Sequence, residues 1–78
     1  MKVLVYSTPT CPYCVMAKQY LKDKEIEFED FNVAEDHEKA KEMMKKSGQQ
    51  GVPVLDVNGE IIVGFDKAKI DAALAKGE

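Results

Sequence analysis

The sequence predicts an α/β fold in which a four-stranded mixed sheet carries helices on both faces, with the element order β-α-β-α-β-β-α. Three observations support this prediction. A short apolar run near the N-terminus leads directly into a helical pattern, and a second strand and a second helix follow. An Asn-Gly pair then joins two further strands before a last helix. Because a strand–helix–strand unit is normally a right-handed crossover between parallel strands, we expect the hairpin to add to it antiparallel.

The first elements are a buried strand and a helix. Val3 to Tyr6 is a continuous apolar run, which is typical of a strand covered on both faces. The helix is indicated by apolar residues that recur at helical spacing, namely Cys14, Ala17 and Leu21. Its lysines are expected on the solvent side, namely Lys18, Lys22 and Lys24. Residues 26–33 combine Phe and Ile with interleaved acids, which predicts a half-exposed strand near an edge of the sheet.

A second helix is predicted over residues 35–47. Acidic residues occupy its first turn, and Gly48 follows as a C-cap. Its buried stripe consists of Ala40, Met43 and Met44. Its lysines are expected to form a solvated face, namely Lys39, Lys41, Lys45 and Lys46.

A hairpin and a last helix complete the chain. Strands over residues 52–57 and 60–63 flank Asn58-Gly59, a pair that readily adopts the positive φ angles of a two-residue turn. Asp66 can cap the last helix, which we expect to end at Gly77. Its inward-facing residues are Ile70, Ala73 and Leu74.

Length and charge limit the classes of function. The 78 residues suffice for one small domain, predicted over residues 1–78. The net charge of −3 argues against binding to nucleic acid or to an anionic membrane. The N-terminal apolar run is too short for a signal peptide or a membrane-spanning helix, so we expect a cytoplasmic monomer.

The pair of thiols in Cys11-Pro12-Tyr13-Cys14 is the chemically most informative feature. Cys11 lies where a helix N-cap is expected, and Pro12 suits the first helical position. Free N–H groups and the helix dipole should therefore stabilise a thiolate at Cys11. Cys14, one turn later, is the less favoured thiolate and can attack a mixed disulfide formed at Cys11. The spacing thus predicts reversible dithiol chemistry.

A metal site is the main alternative for two closely spaced cysteines. A structural zinc site needs about four ligands, and besides the two thiols the chain offers only one histidine, His37. We therefore expect no metal, although a metal-carrying or scaffold module without enzymatic activity stays open as an alternative. No glycine-rich phosphate loop is present, so no tightly bound nucleotide or flavin is expected.

Three motifs together resemble the glutaredoxin family over essentially the whole chain. They are the C-P-Y-C dithiol, Gly51-Val52-Pro53 before the hairpin, and Gly64-Phe65-Asp66 before the last helix. The resemblance implies a thioredoxin-like fold and thiol–disulfide exchange on disulfide-containing proteins or glutathione mixed disulfides. Glutathione would be the cosubstrate. By the same resemblance, Cys11 is the nucleophile and Cys14 the resolving thiol.

The resemblance also implies a glutathione groove. Pro53 matches a proline that is cis in this fold, where it turns the backbone of Val52 toward the thiol substrate. The residues assigned to the groove are Thr8, Pro12, Tyr13, Gln50, Val52, Pro53, Gly64, Phe65, Asp66 and Lys67.

Two departures from the family pattern leave the reductant open. Thr8 stands where many glutaredoxins carry a lysine that holds a glutathione carboxylate. The Gly64-Phe65 pair resembles the glutaredoxin-like redoxins that accept electrons from thioredoxin reductase, a flavoprotein, and reduce ribonucleotide reductase. Lys67 is expected to replace the missing lysine in part, because it lies near the start of the last helix.

Overall fold

The computed structural model describes residues 2–49 and 51–76. The elements follow the predicted order: β1 Val3–Ser7, α1 Pro12–Asp23, β2 Glu29–Asn32, α2 His37–Ser47, β3 Val54–Val57, β4 Glu60–Val63 and α3 Lys67–Lys76. The strands form one sheet with the order β2-β1-β3-β4. β1 pairs parallel with β2 and antiparallel with β3, and β4 extends the sheet antiparallel. The predicted mixed sheet is confirmed.

The core has two halves, one on each face of the sheet. Val3 and Val5 of β1 point into the larger half, which α1 and α3 cover. Leu4 and Tyr6 alternate with them and pack with Met43 of α2 on the opposite face. Because successive side chains of a strand point to opposite faces, a strand covered on both faces is apolar throughout. This explains the unbroken apolar run in β1.

Three predicted element starts were wrong by two or three residues. β2 pairs only over Glu29–Asn32, because Ile26 and Phe28 pack on the core ahead of the paired segment rather than in it. β3 begins at Val54 and not at residue 52. α2 begins at His37, since Asp36 is the N-cap and its carboxylate accepts the N–H of Lys39 at 3.1 Å.

The predicted turns and caps are confirmed. Asn58 and Gly59 both have positive φ, 53° and 91°, as a tight hairpin turn requires. Gly48 ends α2 with φ 73°, and its N–H donates to the carbonyl of Met44 at 2.8 Å. Asp66 caps α3 by accepting the N–H of Lys69 at 3.2 Å. Gly77, the predicted end of the last helix, lies outside the described residues.

A polar tie joins α2 to the sheet and corrects the expectation of a fully solvated lysine face. The Lys46 ammonium lies 2.7 Å from the carboxylate of Asp56 and donates to the Tyr6 hydroxyl at 3.0 Å. That hydroxyl in turn donates to Glu42 at 2.8 Å. The bond with Asp56 raises the pKa of Lys46, and the Tyr6 hydroxyl lowers the pKa of Glu42. We refer to Tyr6, Glu42, Lys46 and Asp56 as the polar tie.

Within residues 2–49 and 51–76, the structure contains no helix of the length and apolar character that a membrane span requires.

Candidate functional site

The site is built around the start of α1, where Cys11 is the N-cap residue. Its backbone is extended, with φ −93° and ψ 112°, and Pro12 follows at the first helical position. The N–H of Cys14 donates to the Cys11 sulfur at 3.2 Å. The predicted N-cap position of Cys11 is therefore confirmed.

The two thiols have different environments. Cys11 is partly exposed, whereas Cys14 has an exposed fraction of 0%. Burial, together with the hydrogen bond to Cys11, raises the pKa of Cys14 to about 11. The Cys11 sulfur is therefore accessible to solvent, and the Cys14 sulfur is buried.

The loop before β3 approaches Cys11 from the sheet. The Val52–Pro53 peptide bond is cis, as predicted, and the Cys11 thiol lies 3.9 Å from the carbonyl oxygen of Val52. Pro53 is buried, and its carbonyl accepts the N–H of Gly64 at 2.8 Å. The structure thus brings the residue-52 backbone beside Cys11 and connects it to the segment that precedes α3.

The remaining residues of the predicted glutathione groove lie in two places, near the thiols and against Tyr20. The carbonyl of Thr8 accepts the N–H of Cys11 at 3.4 Å, and Tyr13 is 61% exposed beside the thiols. Phe65 packs edge-on against Tyr20, with ring centroids 5.8 Å apart. The Lys67 ammonium lies 5.8 Å from each of those two ring centroids. Gln50 lies outside the described residues.

An open apolar groove between α1 and the start of α3 was not predicted. It has a volume of about 360 Å³ and is lined by Val15, Met16, Gln19, Tyr20, Asp23, Phe65 and Lys67. Val15 and Met16 are 55% and 47% exposed. Their position immediately after Cys14, on the opposite side of α1 from Ala17, is a sequence signal that could have revealed the groove. The groove offers an apolar surface on the part of α1 that follows Cys14 in the sequence.

A second cluster, also unpredicted, joins α1 to β1 and β2. The Lys18 ammonium is 3.0 Å from the carboxylate of Asp30, and the Ser7 hydroxyl donates to the same carboxylate at 2.7 Å. The side chain of Lys18 is 23% exposed, so it lies at the surface as expected but is partly covered by its contact with Asp30. Its position follows from β2, which places Asp30 next to β1 and within reach of α1.

Among the residues that the structure describes, no group of three or more His, Cys, Asp and Glu side chains is arranged to hold a metal ion.

Comparison with known proteins was consistent on the family. The family model described as Glutaredoxin matches residues 3–62. The "uncharacterized glutaredoxin-like 8.6 kDa protein in rubredoxin operon" of Clostridium pasteurianum is 53% identical over 74 residues, covering 95% of this chain and 99% of the relative. Glutaredoxin 3 of Escherichia coli strain K12 is 36% identical over 64 residues, covering 82% and 77%.

The fold comparison agrees. The crystal structure of a mutant of the thioredoxin-like protein BC3987 matches with a TM-score of 0.89 at 30% identity, covering 95% of each chain. With the dithiol at the start of α1 and a family match that spans most of the sequence, the chain belongs to the glutaredoxin family, whose members are thiol redox proteins.

Proposed function

We propose that this chain is a thiol–disulfide oxidoreductase that acts through Cys11 and Cys14. The observation that carries the proposal is the partly exposed Cys11 sulfur, which accepts the N–H of Cys14 at 3.2 Å at the start of a helix. The Cys11 sulfur is therefore accessible to a substrate disulfide and has a backbone N–H directed at it.

The reaction has two steps. The Cys11 thiolate attacks one sulfur of a substrate disulfide or of a glutathione mixed disulfide, and the other sulfur leaves with the bonding electron pair. Cys14 then loses its proton and attacks the Cys11 sulfur. A Cys11–Cys14 disulfide forms, and the substrate sulfur departs as a thiolate that takes up a proton from solvent. The substrate gains two electrons and the dithiol loses two.

The backbone beside Cys11 supports an extended, peptide-like thiol as substrate. The Val52 carbonyl lies 3.9 Å from the sulfur and is available to a main-chain N–H of the incoming molecule. Main-chain pairing of this kind gives affinity without strict selection of side chains. Glutathione, a small peptide with two carboxylates, has this chemistry, and Lys67 at the start of α3 supplies a nearby positive charge.

A flavoprotein reductase is the second candidate for the electron donor, and the apolar groove favours it. Val15, Met16 and Phe65 offer an apolar surface suited to a protein partner, and glutathione itself has little apolar area to place there. Thr8 also lacks the charge that would attract a glutathione carboxylate.

An assay that offers each electron donor separately tests the function and distinguishes the two donors. We expect Cys11→Ser to abolish disulfide reduction with either donor. Cys14→Ser should keep the reduction of glutathione mixed disulfides, because a glutathione thiolate can attack the mixed disulfide at Cys11 in place of Cys14 and leave as oxidised glutathione, and it should lose the reduction of protein disulfides. Full activity of Cys11→Ser would contradict the assignment of the nucleophile.

Substitutions of Lys67 and Thr8 test directly whether glutathione is the electron donor. Lys67→Ala should raise the apparent glutathione constant and Thr8→Lys should lower it, each by about three- to tenfold, because one partly exposed charge contact is gained or lost. Lys69→Ala, on an exposed position of the same helix, is the matched control. If Lys67→Ala leaves glutathione turnover unchanged while thioredoxin reductase reduces the wild type efficiently, the flavoprotein donor takes the place of glutathione.

A further inference from the structure

The second step of the proposed reaction requires a buried thiol to lose its proton. Cys14 has an exposed fraction of 0%, so its thiolate is poorly solvated. Burial raises its pKa to about 11, which would leave little thiolate at neutral pH. A positive charge close to Cys14 would offset that penalty when the thiolate forms.

Lys18 is placed to supply this charge. It follows Cys14 by four residues in α1, so the two side chains share a face of the helix with about 5–6 Å between their Cβ atoms. Helical Cα–Cβ bonds tilt toward the N-terminus, which directs the Lys18 side chain back over the turn that holds Cys14. With 23% of its side chain exposed, Lys18 is also less screened by water than an ordinary surface lysine.

Asp30 and Ser7 hold the ammonium in that place. Asp30 lies 3.0 Å from the Lys18 nitrogen, and the hydroxyl of Ser7, which is 2% exposed, fixes the same carboxylate at 2.7 Å. Three groups act on the charge of Cys14 directly. The Cys11 sulfur opposes the thiolate most strongly, and the backbone at Thr8 and then the Lys18 ammonium favour it.

We propose that Lys18, held by Asp30 and Ser7, is a positioning residue that speeds resolution of the mixed disulfide by favouring the thiolate of Cys14. The inference rests on the proposed function and concerns its second step alone. The proton of Cys14 passes to a base in solvent, and Lys18 keeps its own proton throughout. The bonds made and broken are those already given for the second step.

A single-turnover reaction separates the two steps. Reduced protein is mixed with 5,5′-dithiobis(2-nitrobenzoate), and the yellow thiolate is followed in a stopped-flow instrument from pH 5 to 12, so that the range includes the pKa of Cys14, about 11. The first release reports attack by Cys11, and the second reports resolution by Cys14. We expect Lys18→Met to slow the second release about tenfold at neutral pH and to move its pH midpoint upward by about one unit. The first release should change less than twofold.

Two matched variants make the result specific. Lys22→Met removes an exposed lysine from the same helix and should leave both releases as in the wild type. Lys18→Arg keeps the charge and should restore most of the second rate. The thermal unfolding of each variant is measured as well, to detect any loss of stability. A loss of stability alone is not expected to move the pH midpoint of resolution.

The outcomes separate the inference from the function on which it rests. If Cys14→Ser still gives the second release at the wild-type rate, the proposed dithiol function fails. If Cys14→Ser abolishes that release but Lys18→Met behaves like Lys22→Met, the role of Lys18 is overturned. Equal slowing by Lys18→Met and Lys18→Arg without a change in the pH midpoint would also overturn the role of Lys18. That result would show that Lys18 supports the structure of the helix and does not act on Cys14 through its charge.

Discussion

Two residues of the same type acquire different chemistry from their positions in one turn of helix. Cys11 at the N-cap is partly exposed and accepts an N–H, whereas Cys14 is sealed under the helix. Burial raises the pKa of the Cys14 thiol, whereas the Cys11 sulfur is accessible to a substrate. The local fold therefore suits one sulfur, that of Cys11, to attack and the other, that of Cys14, to resolve the mixed disulfide.

Alkylation of single-thiol variants measures this division. With iodoacetamide at neutral pH, we expect Cys14→Ser, which retains Cys11, to react at least tenfold faster than Cys11→Ser, which retains Cys14. The rate of Cys11→Ser should rise only at alkaline pH, because burial raises the pKa of Cys14. Unfolding both variants in denaturant should make the rates equal. Equal rates in the folded state would contradict the asymmetry.

At the scale of elements, the ends of helices and strands are set by side chains that satisfy free backbone groups. Asp36 begins α2 and Asp66 begins α3, each by accepting an N–H three residues later. Gly48 ends α2 in the left-handed region, where its N–H reaches the Met44 carbonyl. A Cβ at that φ is strained even though no atom lies within 4 Å of it.

Substitution of Gly48 tests the importance of this cap. Gly48→Ala should lower the free energy of unfolding by about 1 kcal/mol, because alanine tolerates a φ of 73° poorly. Gly48→Asn should lose less, since asparagine enters the left-handed region more readily. Urea unfolding monitored by circular dichroism checks both values. A larger loss for asparagine than for alanine would show that backbone conformation is not the cause.

At the scale of the whole molecule, the polar tie fastens the helix on one face of the sheet to the strands beneath it. It joins residues of β1, α2 and β3 through the Lys46 ammonium and the Tyr6 hydroxyl. Asp56, 8% exposed, also accepts the N–H of Gly59 in the hairpin turn at 2.8 Å. One lysine therefore helps to hold three elements and a turn in register.

Removal of Lys46 should lower the free energy of unfolding, because its partner Asp56 is buried. Lys46→Met leaves the carboxylate of Asp56 without its cation, and we expect the free energy of unfolding to fall by about 1–3 kcal/mol. Lys45→Met, the neighbouring exposed lysine, should change it by less than about 0.5 kcal/mol. Thermal or urea unfolding decides. If the two variants unfold alike, the polar tie contributes nothing to stability.

These scales differ in how far the sequence alone could predict them. The dithiol turn, the Asn58-Gly59 hairpin and the cap at Gly48 were predicted, because each depends on residues adjacent in the chain. The pairs Lys46–Asp56 and Lys18–Asp30 were missed, since each joins separate elements that only the folded sheet brings together. The apolar groove was missed for the same reason. Phe65 is distant in the sequence from Val15 and Met16, and only the folded chain brings the three residues to one groove.

The central position of β1 in the sheet has a consequence for how the molecule moves. With β2 on one side and β3 on the other, β1 has no free edge, and both of its faces are buried. Its amide hydrogens should therefore exchange with deuterium only when the whole domain opens, while the exposed edges at β2 and β4 exchange earlier. A bond between Cys11 and Cys14 would close a ring within a single turn of α1. Oxidation and reduction should then alter exchange in that turn and leave the slow-exchanging centre of the sheet as it was.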